Sequence, residues 1–341
     1  MLRIAGPSVP YDRSYHWLGR FDKVRSHVNA RRPDILEAHS PYLAVAAVLA
    51  CGRAAPVRTN FWHADHIGTY VEPVLTKALG AAAAARISAR LWQGARALLA
   101  PFDATFVAGR VQAQRLRAAG VADVVHVPFG VDAAAFHPQA EVGWRRRELL
   151  GDAGPGAAIL VGVGRFAIEK RWDIVLEAFA RVRTRRESIL VLFGDGPDRA
   201  RLERRAPPGV RFLGFEQDRA RLGQLLAAAD VLVHGCPYET YGLGVAEAVA
   251  CGLPVVVPDA GGAAESADPS TAETYPSLDA AACAAAIERL LARDPAELRA
   301  RALEAALRVP TIERHFATVL ATYDALLHER SPRHARPRFD S

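Results

Sequence analysis

Two carboxylates eight residues apart, Glu239 and Glu247, bracket the glycine-bearing stretch Tyr238-Glu239-Thr240-Tyr241-Gly242-Leu243-Gly244-Val245-Ala246-Glu247-Ala248. The apolar run before it reads as a strand and the Ala/Val run after Gly242 as a helix. Glu239 then falls on the entering loop and Glu247 just over a turn inside the helix. Between them, the backbone N–H groups of residues 241–244 lack intrahelical acceptors and form an anion site at the helix N-terminus. An acid on each side of a phosphate-binding terminus suits a sugar nucleotide, with one carboxylate on ribose hydroxyls and the other on sugar hydroxyls. Such charge-assisted bonds are worth roughly 1.5–3 kcal/mol each. Either acid alone also fits an ordinary solvated helix-start charge; the pair with glycines between them points to a ligand.

A second cluster follows the strand pattern of residues 158–163, in Val161-Gly162-Val163-Gly164-Arg165-Phe166-Ala167-Ile168-Glu169-Lys170. Arg165 and Lys170 project from a strand-to-helix loop, where two cations can neutralise a diphosphate leaving group without a metal ion. Lys170 is one of only three lysines among 43 basic residues. Gly162, Gly164 and Ala167 also fit a loose G-x-G-x-x-A dinucleotide fingerprint. That motif wants an acid about 20 residues on, at the end of the next strand. Glu187 precedes its strand and Asp195 lies in a Gly-Asp-Gly-Pro turn, so the nicotinamide reading is the weaker one.

The elements that must position these residues alternate. Strand patterns at 34–38, 57–61, 104–107 and 124–127 are separated by helical patterns at 44–50, 74–99 and 111–118. Strands at 158–163, 189–193, 210–213, 231–234 and 255–257 then alternate with helices at 172–183, 198–205, 219–228 and 243–250. This is the pattern of parallel α/β domains. Helices are also expected at 280–292, 296–306 and 312–328. The 341 residues fit two domains. The expected division is 1–138, a linker at 139–156, a second domain at 157–310, a helix at 311–330 packing back on the first domain, and a basic tail at 331–341.

Composition supports an ordinary globular chain: 50% of residues are hydrophobic and 23% charged, with a formal net charge of +6. That surplus permits phosphate-bearing or membrane-surface partners without demanding them. No aromatic–basic interleaving or recognised module indicates nucleic acid. Cys51, Cys236, Cys251 and Cys283 form no CxxC, which argues against a zinc ribbon or a disulfide framework and for a reducing compartment. No signal peptide and no uncharged apolar run of about 18 residues is visible.

Read in order, the second half resembles the donor domain of retaining family-4 glycosyltransferases (glycosyltransferase group 1) with the GT-B fold. The matching residues are Gly164-Arg165 with Glu169-Lys170, Phe193-Gly194-Asp195-Gly196-Pro197, Val210-Arg211-Phe212-Leu213-Gly214 and Ala228-Ala229-Asp230-Val231. The Glu239/Glu247 pair and Gly252-Leu253-Pro254-Val255-Val256 complete the series. The first half matches more thinly. Pro33-Asp34-Ile35-Leu36-Glu37-Ala38-His39 resembles the family's "PDvvhvH" strand. Trp62-His63-Ala64-Asp65 resembles its "yHtD", and Val127-Pro128-Phe129-Gly130-Val131-Asp132 the segment leading into the linker.

The resemblance implies two Rossmann-like doubly wound domains facing a cleft, a nucleotide-diphosphate sugar as donor, a glycan or lipid acceptor, retention of configuration, and no metal or other cofactor. It gives Glu247 the ribose and Arg165 and Lys170 the diphosphate. Glu239 takes the donor sugar beside the backbone of Tyr241, Gly242 and Leu243. Gly164 and Gly214 line the donor site, with the nucleobase stacking near residues 214–216. His63 reaches the donor sugar from the first domain; by residue type alone, it fits a structural role equally well. The family's first strand, Gly-rich loop and long helix precede the region that residues 4–21 resemble, so the first domain is expected to be incomplete at its start. That expectation keeps a non-catalytic sugar-nucleotide-binding module or partner subunit as the alternative to an enzyme. Arg86, Arg90 and Arg96 lie among Ala, Leu, Ile and Trp92 in the helical stretch 77–99. This face fits either a core-packing helix with a solvated side or peripheral contact with an anionic membrane. The expected location is the cytoplasm, at the inner face of the membrane where the acceptor is a lipid.

Overall fold

The computed structural model describes residues 4–330 apart from 5, 10–11, 40–41, 53 and 140–142; the basic tail expected at 331–341 lies outside them. The chain divides into two compact units, Met1–Pro128 with Arg314–Ser341, and Phe129–Glu313.

In the first unit, β1 (Ser8–Val9) and β2 (Asp12–His16) form an antiparallel pair, followed by α1 (Phe21–Arg31). The main sheet is parallel and sequential in order: β3 (Ile35–Ala38), β4 (Val57–Phe61), β5 (Ala104–Val107) and β6 (Val124–His126). Its helices are α2 (Leu43–Ala50), α3 (Glu72–Leu79), α4 (Ala81–Leu99) and α5 (Arg110–Ala118). Helix α4 buries Ala84, Ser88, Trp92, Ala95 and Leu99, a stripe at i, i+4, i+8, i+11 and i+15 that faces Trp62, Val107 and Leu116 in one core. The single helix expected over 74–99 is two helices, because Gly80 turns the chain at φ +79° between them.

The second unit has six parallel strands: β7 (Ala158–Val163), β8 (Ser188–Phe193), β9 (Val210–Gly214), β10 (Val231–Val233), β11 (Val255–Pro258) and β12 (Ala272–Tyr275). They lie in the order β12-β11-β10-β7-β8-β9. The chain starts in the middle at β7, runs outward to β9, then returns to the other side of β7 as β10. The strand order therefore reverses between β7 and β10, and a crevice opens there beyond the carboxyl ends of the strands. The near-continuous apolar sequences of β7, β8 and β11 follow from burial on both faces.

The helices of this unit are α6 (Gly143–Leu150), α7 (Trp172–Arg183), α8 (Arg199–Arg205), α9 (Arg219–Ala227), α10 (Leu243–Ala250), α11 (Gly262–Glu265), α12 (Ala280–Leu291) and α13 (Pro295–Ala306). Helices α7 and α12 share a core with β7, β8 and β10. Seven residues of α7 are buried, Trp172 and Phe179 among them, each large side chain contributing roughly 1.5–3 kcal/mol. That core fixes the strand ends from which the candidate site projects.

Helix α6 stands where a linker was expected at 139–156, and its arginines explain why. Arg146 holds both Asp230 oxygens, at 2.8 and 3.1 Å, while Ile159 N–H donates to Asp230 Oδ2 at 2.7 Å. Arg145 reaches Gln224 Oε1 on α9 at 2.8 Å. A polar composition that reads as a spacer is instead an ion pair and a set of hydrogen bonds clamping α6 to β7 and α9. Strand β12, α1 and the β1–β2 pair had no sequence signal strong enough to place them. The last helix, α14 (Ile312–Arg330), leaves the second unit and lies in the first from Arg314 onward. Among the described residues no helix is long and apolar enough to cross a membrane.

Candidate functional site

At the carboxyl ends of β7, β8 and β9 three glycines form one strip of backbone. Gly164 N–H donates to Phe193 O at 3.0 Å, and Gly194 N–H donates to Gly214 O at 2.8 Å. Gly194 has φ +146°, and a Cβ there would lie 1.9 Å from Gly164 O, so only glycine permits this approach. The structure thus joins Gly164 and Gly214 through a residue that sequence reading left as part of a turn. The half-buried Arg165 sits next to the strip, on a loop held by Trp172 Nε1–H donating to Arg165 O at 2.9 Å.

Across the strand-order reversal, β10 leads through residues 234–242 into α10. A Cβ on Gly244 would lie 3.6 Å from Val163 O, which puts the first turn of α10 beside the end of β7. The N–H groups of Leu243 and Gly244 have no intrahelical acceptor and give this terminus its affinity for an anion. Gly242 caps the helix at φ +84°. Gly262 N–H donates to Glu239 O at 2.6 Å, tying the approach loop to α11. Tyr241 Oη donates to Phe129 O at 2.9 Å, its ring edge-on to Phe129, and burial pushes its pKa up to about 12.

The expected diphosphate ligand Lys170 and the expected sugar ligand Glu239 form an ion pair, Nζ donating to Oε1. His234 Nε2 lies 3.3 Å from the same oxygen, without hydrogen-bond alignment. Burial favours the neutral acid, but His234 and Lys170 outweigh it and hold the Glu239 carboxyl at about 2. Burial pushes the Cys236 thiol up to about 12, with Glu239 adding to the effect. His234, Cys236 and Glu239 bring one ligand atom each within 4.8 Å of one another, a set able to hold a metal ion; the Lys170 ammonium supplies the positive charge there.

Glu247 is 5% exposed on α10. Arg219, at the start of α9, donates to Glu247 Oε1 and lies over the Phe136 ring with its guanidinium 4.5 Å from the centroid. Burial raises the Glu247 pKa above its usual value despite that arginine. Arg219 was missed in the sequence because nothing local marks one arginine among forty.

His63 belongs to the first unit, two residues past β4. Its Nε2 is 2.7 Å from Nδ1 of His39, which follows β3, and His39 Nε2–H donates to Glu37 Oε1 at 2.8 Å. Glu37 also accepts from Thr59 Oγ1 at 2.9 Å and from Tyr323 of α14. Burial, reinforced by His39, depresses the His63 imidazole to about 4. The Glu37–His39 alternation on a strand was the available signal, since residues i and i+2 share a face.

A family model described as glycosyl transferases group 1 matches residues 157–293. A GDP-mannose-dependent alpha-(1-6)-phosphatidylinositol dimannoside mannosyltransferase of Mycobacterium tuberculosis is 30% identical over 333 residues, covering 96% of this chain and 83% of the relative. A GDP-mannose-dependent alpha-mannosyltransferase of the same species is 34% identical over 233 residues, 67% of this chain and 56% of that one. Among solved structures, sucrose-phosphate synthase from Thermosynechococcus elongatus superimposes with a TM-score of 0.71 at 23% identity, covering 92% of this chain and 81% of that chain. Anabaena HepE in complex with UDP and glucose gives 0.72 at 18% identity, covering 90% and 83%.

Proposed function

The chain belongs to the retaining family-4, group 1 glycosyltransferases of GT-B fold, and from that premise we propose that it is a mannosyltransferase using GDP-mannose to extend a lipid-linked acceptor. The family activity is transfer of a sugar from a nucleotide-diphosphate sugar to a glycan or lipid acceptor, and the chain is an enzyme of that class. Mannose and guanine are supported by the relative matched over 96% of the chain, whose name specifies GDP-mannose.

The observation that carries the site assignment is the meeting of three features at one strand-order reversal. These are the glycine strip, the N-terminus of α10 and the Lys170–Glu239 pair. On this reading the diphosphate lies against Gly164 and the N–H groups of Leu243 and Gly244, with Arg165 and Lys170 neutralising it. Lys170 turns from Glu239 towards the phosphates, which frees Glu239 to accept from mannose hydroxyls. Glu247 takes the ribose, and the base lies near Gly214. Donor binding belongs to the second unit and the acceptor to the first, in which His63 is the catalytic side chain. The leaving diphosphate, stabilised by two cations and a helix terminus, accepts the acceptor's proton.

Peripheral membrane contact is part of the proposal. Ile87 and Leu91 share an exposed face of α4 beside Arg86 and Arg90, and Val74 and Leu79 of α3 are exposed as well. An apolar stripe flanked by arginines fits an anionic lipid surface.

Thermal melts with GDP, UDP, ADP and NAD, each with and without EDTA, test the donor assignment. Ligand at 100 times its Kd adds about 2.7 kcal/mol, which for a domain of this size raises Tm by roughly 5–10 °C. The expected result is a GDP shift that EDTA leaves unchanged. A shift with UDP alone would replace guanine by uracil, and a shift with NAD alone would overturn the site.

A further inference from the structure

The first unit contains a hydrogen-bonded line, Glu37–His39–His63, that the family resemblance does not account for. The register of the sheet builds it. Ala38 of β3 pairs with Asn60 of β4, so the residues following the two strands emerge side by side. Glu37 lies opposite Thr59, whose hydroxyl donates to it. The two imidazoles have centroids 5.0 Å apart and planes within 18°, and their facing nitrogens are 2.7 Å apart. Those three numbers together describe rings lying nearly edge to edge, with one hydrogen between them. Phe61 packs on His63, its ring parallel to within 8° at 4.5 Å, and holds that plane.

Hydrogen counting allows three states, and the Glu37 carboxylate beside His39 favours the two in which an added proton rests on His39 and not on His63. A carboxylate only accepts, so His39 Nε2 carries a hydrogen in both. When His39 is neutral, its Nδ1 has a lone pair and accepts from His63 Nε2–H, and Nδ1 of neutral His63 carries no hydrogen. When His39 is cationic, its Nδ1–H donates to His63 Nε2, and neutral His63 carries its hydrogen on Nδ1. A proton arriving at Nδ1 of His63 therefore displaces the Nε2 hydrogen onto His39. The charge comes to rest beside Glu37, and His63 remains neutral throughout.

We propose that Glu37 and His39 are positioning residues that set the hydrogen on His63, making its Nδ1 an acceptor in one protonation state of His39 and a donor in the other. The proposal rests on the reading that His63 takes part in the reaction. The surroundings match the proton's resting place. The hydrogen bond to Glu37 raises the His39 pKa against the effect of burial, while burial and the neighbouring His39 lower that of His63. The other titratable groups facing the line are Tyr323, which donates to Glu37, and His315, whose ring is 6.0 Å from Phe61 and whose Nδ1–H donates to Pro128 O at 2.8 Å. The His39 side chain is 59% exposed, so solvent can exchange its proton.

The test is a pH titration of full-length protein labelled with 15N-histidine, reading which nitrogen of His63 bears hydrogen. In wild type His63 should pass from the Nε2–H to the Nδ1–H form as pH falls, with a midpoint above the ordinary imidazole value of 6.5. Glu37→Gln should lower that midpoint by about one pH unit, because it removes the charge that favours cationic His39. His39→Gln should abolish the transition. In turnover with GDP-mannose, His39→Gln should lower kcat about tenfold, with donor KM changed less than about twofold, the scale on which groups orienting an imidazole act. A His63 tautomer indifferent to pH, or unchanged in Glu37→Gln, overturns the proposal, and Glu37→Gln decides the matter even if His39→Gln does not fold. Wild-type turnover in His63→Ala would remove His63 from the reaction without moving the tautomer titration, so the two failures are distinguishable.

Discussion

Lys170 and Glu239 lie 69 residues apart in sequence and share one ion pair across the point where the strand order of the second unit reverses. The pair fixes the Glu239 carboxylate, whose pKa of about 2 lies well below the 4.5 of an ordinary glutamate. A depressed carboxyl contributes stability that is fully present above 4.5 and lost as pH falls towards 2. The contribution at neutral pH is about 3 kcal/mol. Urea unfolding should therefore show wild type more stable than Glu239→Gln at pH 6, with the difference shrinking steadily between pH 5 and 2.5. A pH-independent difference would mean that the carboxylate is not held in this way.

The donor ligands should separate by the part of the nucleotide they hold. Glu247→Gln keeps shape and removes charge, and should weaken GDP by about tenfold, one charge-assisted hydrogen bond's worth. Lys170→Ala should weaken GDP by at least as much and leave guanosine binding unchanged, since only the diphosphate is affected. Calorimetric titration of both ligands into both variants checks this; equal affinity of wild type and variants for GDP would reassign the site.

Two glycines make a paired prediction about the scaffold. Gly194→Ala forces a methyl against Gly164 O and should cost about 1–3 kcal/mol, with loss of the GDP-induced Tm shift. Gly94, inside α4, has nothing within 4 Å of an added Cβ. Gly94→Ala should stabilise the protein by roughly 0.5–1 kcal/mol. Melting curves of the two variants should move in opposite directions.

How much of this was legible depended on whether a signal was local. The crevice was readable because β7 and β10 are short apolar runs rich in valine and leucine, each followed within a few residues by glycine and a charged group. Lys170 stood out by rarity, and Glu239 by its place before a glycine-opened helix. Arg219 and His234 were not readable, because their partners come from other elements and only tertiary packing brings them together. Helix α6 was misread for a related reason. Three consecutive arginines look solvated until Asp230 and Gln224, about 80 residues on, are seen to receive two of them.

Membrane contact should be separable from folding. Leu91 is 40% exposed on the outer face of α4, so Leu91→Glu should leave Tm within about 1 °C, as surface substitutions usually do. The same change should lower co-sedimentation with vesicles containing anionic phospholipid, and 0.5 M salt should do so in wild type. Undiminished sedimentation of the variant would exclude this face.

The chain enters its first unit, leaves it, and returns to it with α14, which brings Tyr323 to Glu37 and Arg330 to Asp103. The two units therefore differ in whether they need α14. The second unit is continuous in sequence, so it needs nothing beyond residue 313. The first unit, although made earlier, waits for α14 before the carboxylate behind His39 has all its hydrogen-bond donors. A chain ending at residue 313 would then keep every residue of the proposed donor site in one unit and have a histidine line lacking its tyrosine in the other.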